Sequence, residues 1–132
     1  MVLRRSGVVL GLFVFVVAGC QGENKLYNVS GTVTYEGKPI PKGLIFFDPD
    51  STKGTIGTQG FANITEGKYD TADHGKGIRG GSYVLRISGF DGKEANEAPF
   101  GQALFPEYQE KRDLPKENSK LDLQVPGKKK SG

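Results

Sequence analysis

Beyond its first twenty residues this chain places no run of apolar residues at helical spacing. Its apolar residues instead alternate in short stretches cut apart by glycine and proline. Val29, Gly31, Val33 and Tyr35 alternate with Ser30, Thr32, Thr34 and Glu36, which predicts a strand with one polar face. A turn cluster with two prolines follows over residues 36–43 and blocks any helix. Leu44–Phe47 is a continuous apolar run of strand length, stopped by Asp48-Pro49-Asp50-Ser51. Thr55 to Thr65 predicts a third strand interrupted at Gly57 and Gly60, and residues 67–71 a short arm. After a glycine-rich loop over 72–81, Tyr83, Leu85 and Ile87 face one way and Val84, Arg86 and Ser88 the other. Residues 107–113 allow at most a turn or two of helix, and Leu121, Leu123 and Val125 predict a closing strand. About seven short strands in so short a chain predict an all-β fold, a single antiparallel β-sandwich of Greek-key, immunoglobulin-like type.

Composition supports one domain of this kind. The chain has 132 residues with 20 glycines, roughly double the usual ~7%. No three-residue period suggests collagen, and the apolar runs between the glycines argue against wholesale disorder. A domain of this size buries enough surface to fold without disulfides, and the single cysteine, Cys20, provides none.

The N-terminus has the three regions of a secretory signal: Arg4 and Arg5, an apolar stretch from Gly7, and small residues before Cys20. The 13 residues from Gly7 to Gly19 cover about 20 Å as a helix, too little for a ~30 Å hydrocarbon core. Val17-Ala18-Gly19-Cys20 resembles the lipobox of bacterial lipoproteins. The resemblance implies a diacylglycerol thioether on Cys20, cleavage before it, and acylation of the new N-terminus by palmitate or a similar chain. Membrane anchoring in the cell envelope follows, and Gln21 after the cysteine, in place of aspartate, favours the outer membrane over the inner. The implied organisation is a leader over 1–19, a lipidated Cys20 with a short tether over 20–26, the β-domain over 27–127, and a basic disordered tail over 128–132.

Processing changes the meaning of the charge. The precursor carries a formal +3, but without Arg4 and Arg5 the basic count falls from 18 to 16 against 15 acids. Three of the remaining cations are Lys128, Lys129 and Lys130, which read as a solvated terminal run. No basic face remains to recommend nucleic acid as a partner.

A second resemblance covers most of the mature chain. Val29-Ser30-Gly31-Thr32-Val33, the turn ending Gly37-Lys38-Pro39 and the apolar run Leu44–Phe47 are similar to the opening of carboxypeptidase regulatory-like, transthyretin-like domains. Gly81-Ser82-Tyr83-Val84-Leu85-Arg86-Ile87 matches their later G-x-Y-x-V/L-x-I strand. Thr58-Gln59-Gly60-Phe61 departs from their usual D-x-x-G-x-F step. The resemblance implies a sandwich and little chemistry, since these motifs make the fold.

Candidate chemistry is sparse. Gly75-Lys76-Gly77-Ile78-Arg79-Gly80 matches G-x-G-x-x-G, but a strand follows it where a dinucleotide site needs a helix. Lys76 and Arg79 are left as candidate anion contacts. Asp48 and Asp50 have the oxygen density of a calcium loop without EF-hand spacing, and Asp70 and Asp73 are candidate further ligands. His74 is the lone histidine, so no multi-histidine zinc site and no Cys–His pair can be built. Tyr69, Phe90, Phe100, Phe105 and Tyr108 are candidates for exposed recognition or for core positions. The expectation is a non-catalytic, monomeric interaction or structural module without a cofactor, whose partner is an envelope protein or a glycan. The alternative is a glycan- or calcium-binding module using loops 48–54 and 70–81.

Overall fold

A computed structural model of the chain describes residues 25–127. The leader, Cys20 with its lipobox residues Val17, Ala18 and Gly19, most of the tether and the basic tail lie outside them. The described residues form an all-β, curled and mainly antiparallel sheet. Its strands are β1 (Val29–Tyr35), β2 (Lys38–Pro39), β3 (Lys42–Pro49), β4 (Gly60–Thr65), β5 (Lys68–Asp70), β6 (Gly81–Phe90), β7 (Tyr108–Leu114), β8 (Ser119–Lys120) and β9 (Leu123–Val125). The order across the sheet is β2-β1-β5-β4-β3-β6-β7.

The alternation in the sequence translates directly into the core. Opposite residues in antiparallel strands share a face, and the register aligns Ala62, Ile45 and Ile87 in one row and Gly60, Phe47 and Leu85 in the next. The larger side chains of these rows are fully buried in a single cluster with Val29, Val33, Ile64 and Tyr83. Each contributes about 1.5–3 kcal/mol of transfer free energy. The opposite face of β3 and β6 carries Leu44, Phe46, Val84 and Arg86, all half-buried.

Three expectations change. Residues 107–113 form no helix: β7 pairs antiparallel with β6 over seven residues, from Ile87–Tyr108 to Gly81–Leu114. Its inward positions alternate Tyr108, Glu110, Arg112 and Leu114, so charges interrupt the apolar period that would have marked a strand. Arg112 donates to Glu110 across 2.5 Å, and inward charges of this kind discourage another strand from pairing with an open edge. The predicted third strand is shortened to Gly60–Thr65, and residues 54–59 are loop. The closing segment is not antiparallel: β8 runs parallel to Val29–Ser30, and β9 parallel to Val33–Tyr35. Its partner lies about ninety residues away, so no local turn dictates its direction.

Between β8 and β9 the chain crosses β1 at Gly31. A Cβ on Gly31 would meet the Leu121 carbonyl well inside van der Waals contact. Leu121 N–H donates to the Ser30 carbonyl (2.8 Å), and Tyr69 O–H to the Leu121 carbonyl (2.6 Å). The Asp122 carboxylate accepts from the Thr32 amide (2.9 Å) and hydroxyl (3.0 Å). Burial, followed by the neighbouring Asp122 charge, pushes the Tyr69 phenol far above its ordinary pKa, and Arg112 offsets this only in part.

Gly31→Ala is expected to lower stability by about 2–3 kcal/mol in urea denaturation, because the intruding methyl meets backbone and not a movable side chain. The Tyr69 shift sets a second expectation. The folded phenol keeps its proton where the unfolded one, with a pKa near 10, loses it. Its contribution is therefore intact below about pH 10 and declines as pH rises beyond, by at most about 1.4 kcal/mol per unit. Denaturation midpoints of wild type and Tyr69→Phe across that range check this: the variant starts about 1–2 kcal/mol lower and falls less steeply.

Candidate functional site

Two concavities and one ion-pair cluster carry the polar side chains singled out above. The first concavity is an open groove of about 620 Å³ over β1, β5 and the turn after β5. β5 ends at Asp70, whose carboxylate accepts from the Ala72 amide (2.9 Å) while Asp73 N–H donates to the Asp70 carbonyl (3.0 Å). The turn is thereby wound tightly enough to put Asp70, Asp73 and His74 on one rim, with Lys68, Lys120 and Asp122 also in the lining. Thr71, buried within the turn, fastens it to the core. Its hydroxyl accepts from the Val29 amide (2.9 Å) and donates to the Asn28 side chain (3.2 Å). His74 Nδ1 lies 2.7 Å from Asp73, with the two side chains 90% and 77% exposed. A pair so exposed is weakly coupled. The groove presents both signs of charge and many hydrogen-bonding groups, which suits a polar partner.

Asp48 and Asp50 do not reach this groove. Asp48 lies on the outer face of β3, where Arg86 Nε donates to it at 2.5 Å and Gln59 Nε2 at 2.6 Å. The Arg86 guanidinium also stacks 4.9 Å from the Phe46 ring centroid and donates to Glu107 at 3.3 Å. The Asp48 hydrogen bond, the largest cause, pushes the Arg86 pKa further above its already high value. Asp50 caps the 3-10 turn Ser51–Lys53, accepting from the Thr52 amide (3.0 Å) and hydroxyl (2.5 Å). The Thr52 hydroxyl hydrogen bond, with help from Lys111 and Lys53, holds its carboxyl below the usual range despite burial. Among the described residues no three His, Cys, Asp or Glu side chains gather as metal ligands.

The G-x-G-x-x-G stretch serves as a backbone clasp. Lys76 exchanges amide hydrogen bonds with Phe61, and Ile78 with Tyr27. Gly75 and Gly77 are needed because side chains there would strike the Phe61 and Tyr27 carbonyls. Of the two candidate anion contacts, Lys76 stays on this clasp, while Arg79 lines a second concavity of about 550 Å³ with Lys25 and Lys116. Loops 48–54 and 70–81 do meet there, through Gly54, Arg79 and Gly80. They bring Arg79 to the meeting point, where it joins the two lysines, and the four aspartates stay elsewhere. Lys25 and Lys116 escape a sequence reading because one sits in the tether and the other in a polar loop 91 residues later. Of the aromatic candidates, Tyr69 and Phe105 are core, Phe90 and Tyr108 half-buried, and Phe100 exposed beside Phe90 (5.8 Å).

No protein-family model matches the chain, and no curated protein is detectably similar to it.

Asp48→Asn is expected to cost about 1 kcal/mol by stranding part of the Arg86 charge, the two side chains being only 30% and 32% exposed. Thermal melts at low and high salt check this. The difference between variant and wild type should shrink as salt screens the pair.

Proposed function

We propose that this is an exported, lipid-anchored protein of a bacterial cell envelope, non-catalytic and monomeric, whose β-domain works as an interaction or structural module. The observation that carries the reading is the arrangement of residues 1–20: two arginines, an apolar stretch too short to span, and Val17-Ala18-Gly19-Cys20 directly behind it. Two or three acyl chains on Cys20, at about 0.8 kcal/mol per buried CH₂, hold a protein far more firmly than one. The absence of aspartate after Cys20 favours the outer membrane. In this reading the curled sheet is a sandwich of the carboxypeptidase regulatory-like, transthyretin-like kind. The single core shared by β1, β3, β4 and β6 and the placement of Gly31 within V-x-G-x-V support it.

The groove beside Asp70, Asp73 and His74 is the surface offered to an envelope partner, protein or glycan. Its mixed charges and hydrogen-bonding lining suit a glycan better than an apolar ligand. Calcium finds less support, since Asp48 and Asp50 are engaged by Arg86 and Thr52.

Cell fractionation with metabolic palmitate labelling tests the anchor. Wild type should sediment with membranes, carry label and lack its leader. Cys20→Ser should lose the label and keep the leader. A Cys20→Ser protein that remains in membranes at the wild-type mass overturns the reading.

A further inference from the structure

We propose that the basic cleft lined by Lys25, Arg79 and Lys116, together with the projecting Ile56, is a docking surface for an anionic phospholipid membrane. The inference rests on the anchored reading above for its geometry, and on four features of the cleft for its chemistry.

First, among the described residues three cations and no carboxylate line it, although acids and bases are nearly balanced in the mature chain. Second, Ile56 is 79% exposed, the most exposed of the large apolar side chains that stand out from the described surface. A lone exposed isoleucine is ordinary. One flanked by cations has the composition of an interfacial contact, in which an apolar tip enters the headgroup boundary while lysine and arginine meet lipid phosphates.

Third, the base of the Ile56 loop is held in place. Thr55 N–H donates to the Asp50 carbonyl (3.2 Å), and Ser82 N–H donates to the Thr55 hydroxyl (3.0 Å). Only the tip projects, so little ordering entropy opposes its use. Fourth, Lys25 lies five residues after Cys20, a span of at most about 17 Å fully extended. A lipid on Cys20 thus confines this end of the domain to within about two Debye lengths of the headgroups. Docking becomes an intramolecular event at high effective concentration, so a weak surface suffices. The groove with its three aspartates lines a different part of the surface, and docking through the cleft leaves a partner site of its own.

The chain has no tryptophan, so Ile56→Trp introduces a single indole reporter at the loop tip. The protein, purified with its anchor, is reconstituted into vesicles of phosphatidylcholine alone or mixed with phosphatidylglycerol. Flotation reads the anchor and indole emission reads docking. Flotation is expected with both vesicle types. A blue shift, and quenching by brominated acyl chains, are expected only with phosphatidylglycerol. Lys25→Glu combined with Lys116→Glu, both at exposed positions, should return emission to its phosphatidylcholine value. Each substitution should lower the ratio of docked to undocked protein by at least about fivefold, since it removes a cation and adds a repelled carboxylate.

Equal emission on both vesicle types, with flotation intact, overturns docking and spares the anchor. Failure to float on phosphatidylcholine overturns the anchor, while a blue shift with phosphatidylglycerol still supports docking. The same shift produced by inorganic phosphate without vesicles marks a small-anion site and overturns the membrane assignment.

Discussion

At Gly31 two backbones come closer than any side chain would permit. β1 is paired with β5 and β2 and, in parallel, with β8 and β9. The segment carrying Leu121 must step from one parallel pairing to the other across the glycine. The step leaves the Leu121 carbonyl and the Thr32 amide outside a regular ladder, and each finds a partner in a side chain: the Tyr69 phenol for one, the Asp122 carboxylate for the other. Backbone groups left unpaired away from water are costly, so the Tyr69 bond to the part-buried Leu121 carbonyl makes the crossing tolerable, while Asp122 ties down the exposed Thr32 amide beside it. Val29 and Val33, on either side of it, then close over the core.

Much of the architecture was legible because a period of two survives wherever a strand has one apolar face. β1 and β6 are of this kind, and Tyr83, Leu85 and Ile87 point inward as their alternation requires. β7 was not legible, since Glu110 and Arg112 occupy inward positions on an edge that water still reaches. Nor was the direction of the last strand, whose orientation is decided by the Gly31 crossing and not by any nearby turn. The aspartates were visible as candidates, and Asp70 and Asp73 do share a groove. Short polar side chains beside turns serve the backbone as readily as a ligand, and Asp50 does so. The cleft at Arg79 was half visible, because two of its cations come from segments that only the fold brings together.

The polar side chains divide between two kinds of work. Asp48, Arg86 and Glu107 knit the outer face of β3 and β6 over Phe46, where a charge in contact with an aromatic ring and a carboxylate is fixed in place. Asp70, Asp73 and His74 instead stand along an open rim, and Lys25 and Lys116 beside a cleft, all at exposed positions. Fixed charge shapes the domain, while open charge is what another molecule meets. The separation of a mixed-charge groove from a basic cleft also gives the domain a direction.

The parallel pairing of β1 with strands some ninety residues downstream governs when the molecule can take shape. During synthesis β1 emerges about ninety residues ahead of β8 and β9 and must wait for them. Contacts of such long sequence separation form slowly and only after the intervening chain has been gathered in. The nascent polypeptide therefore lacks the stitch that completes its core until β9 has emerged. The segment carrying β8 and β9 acts as the clasp, fastened last.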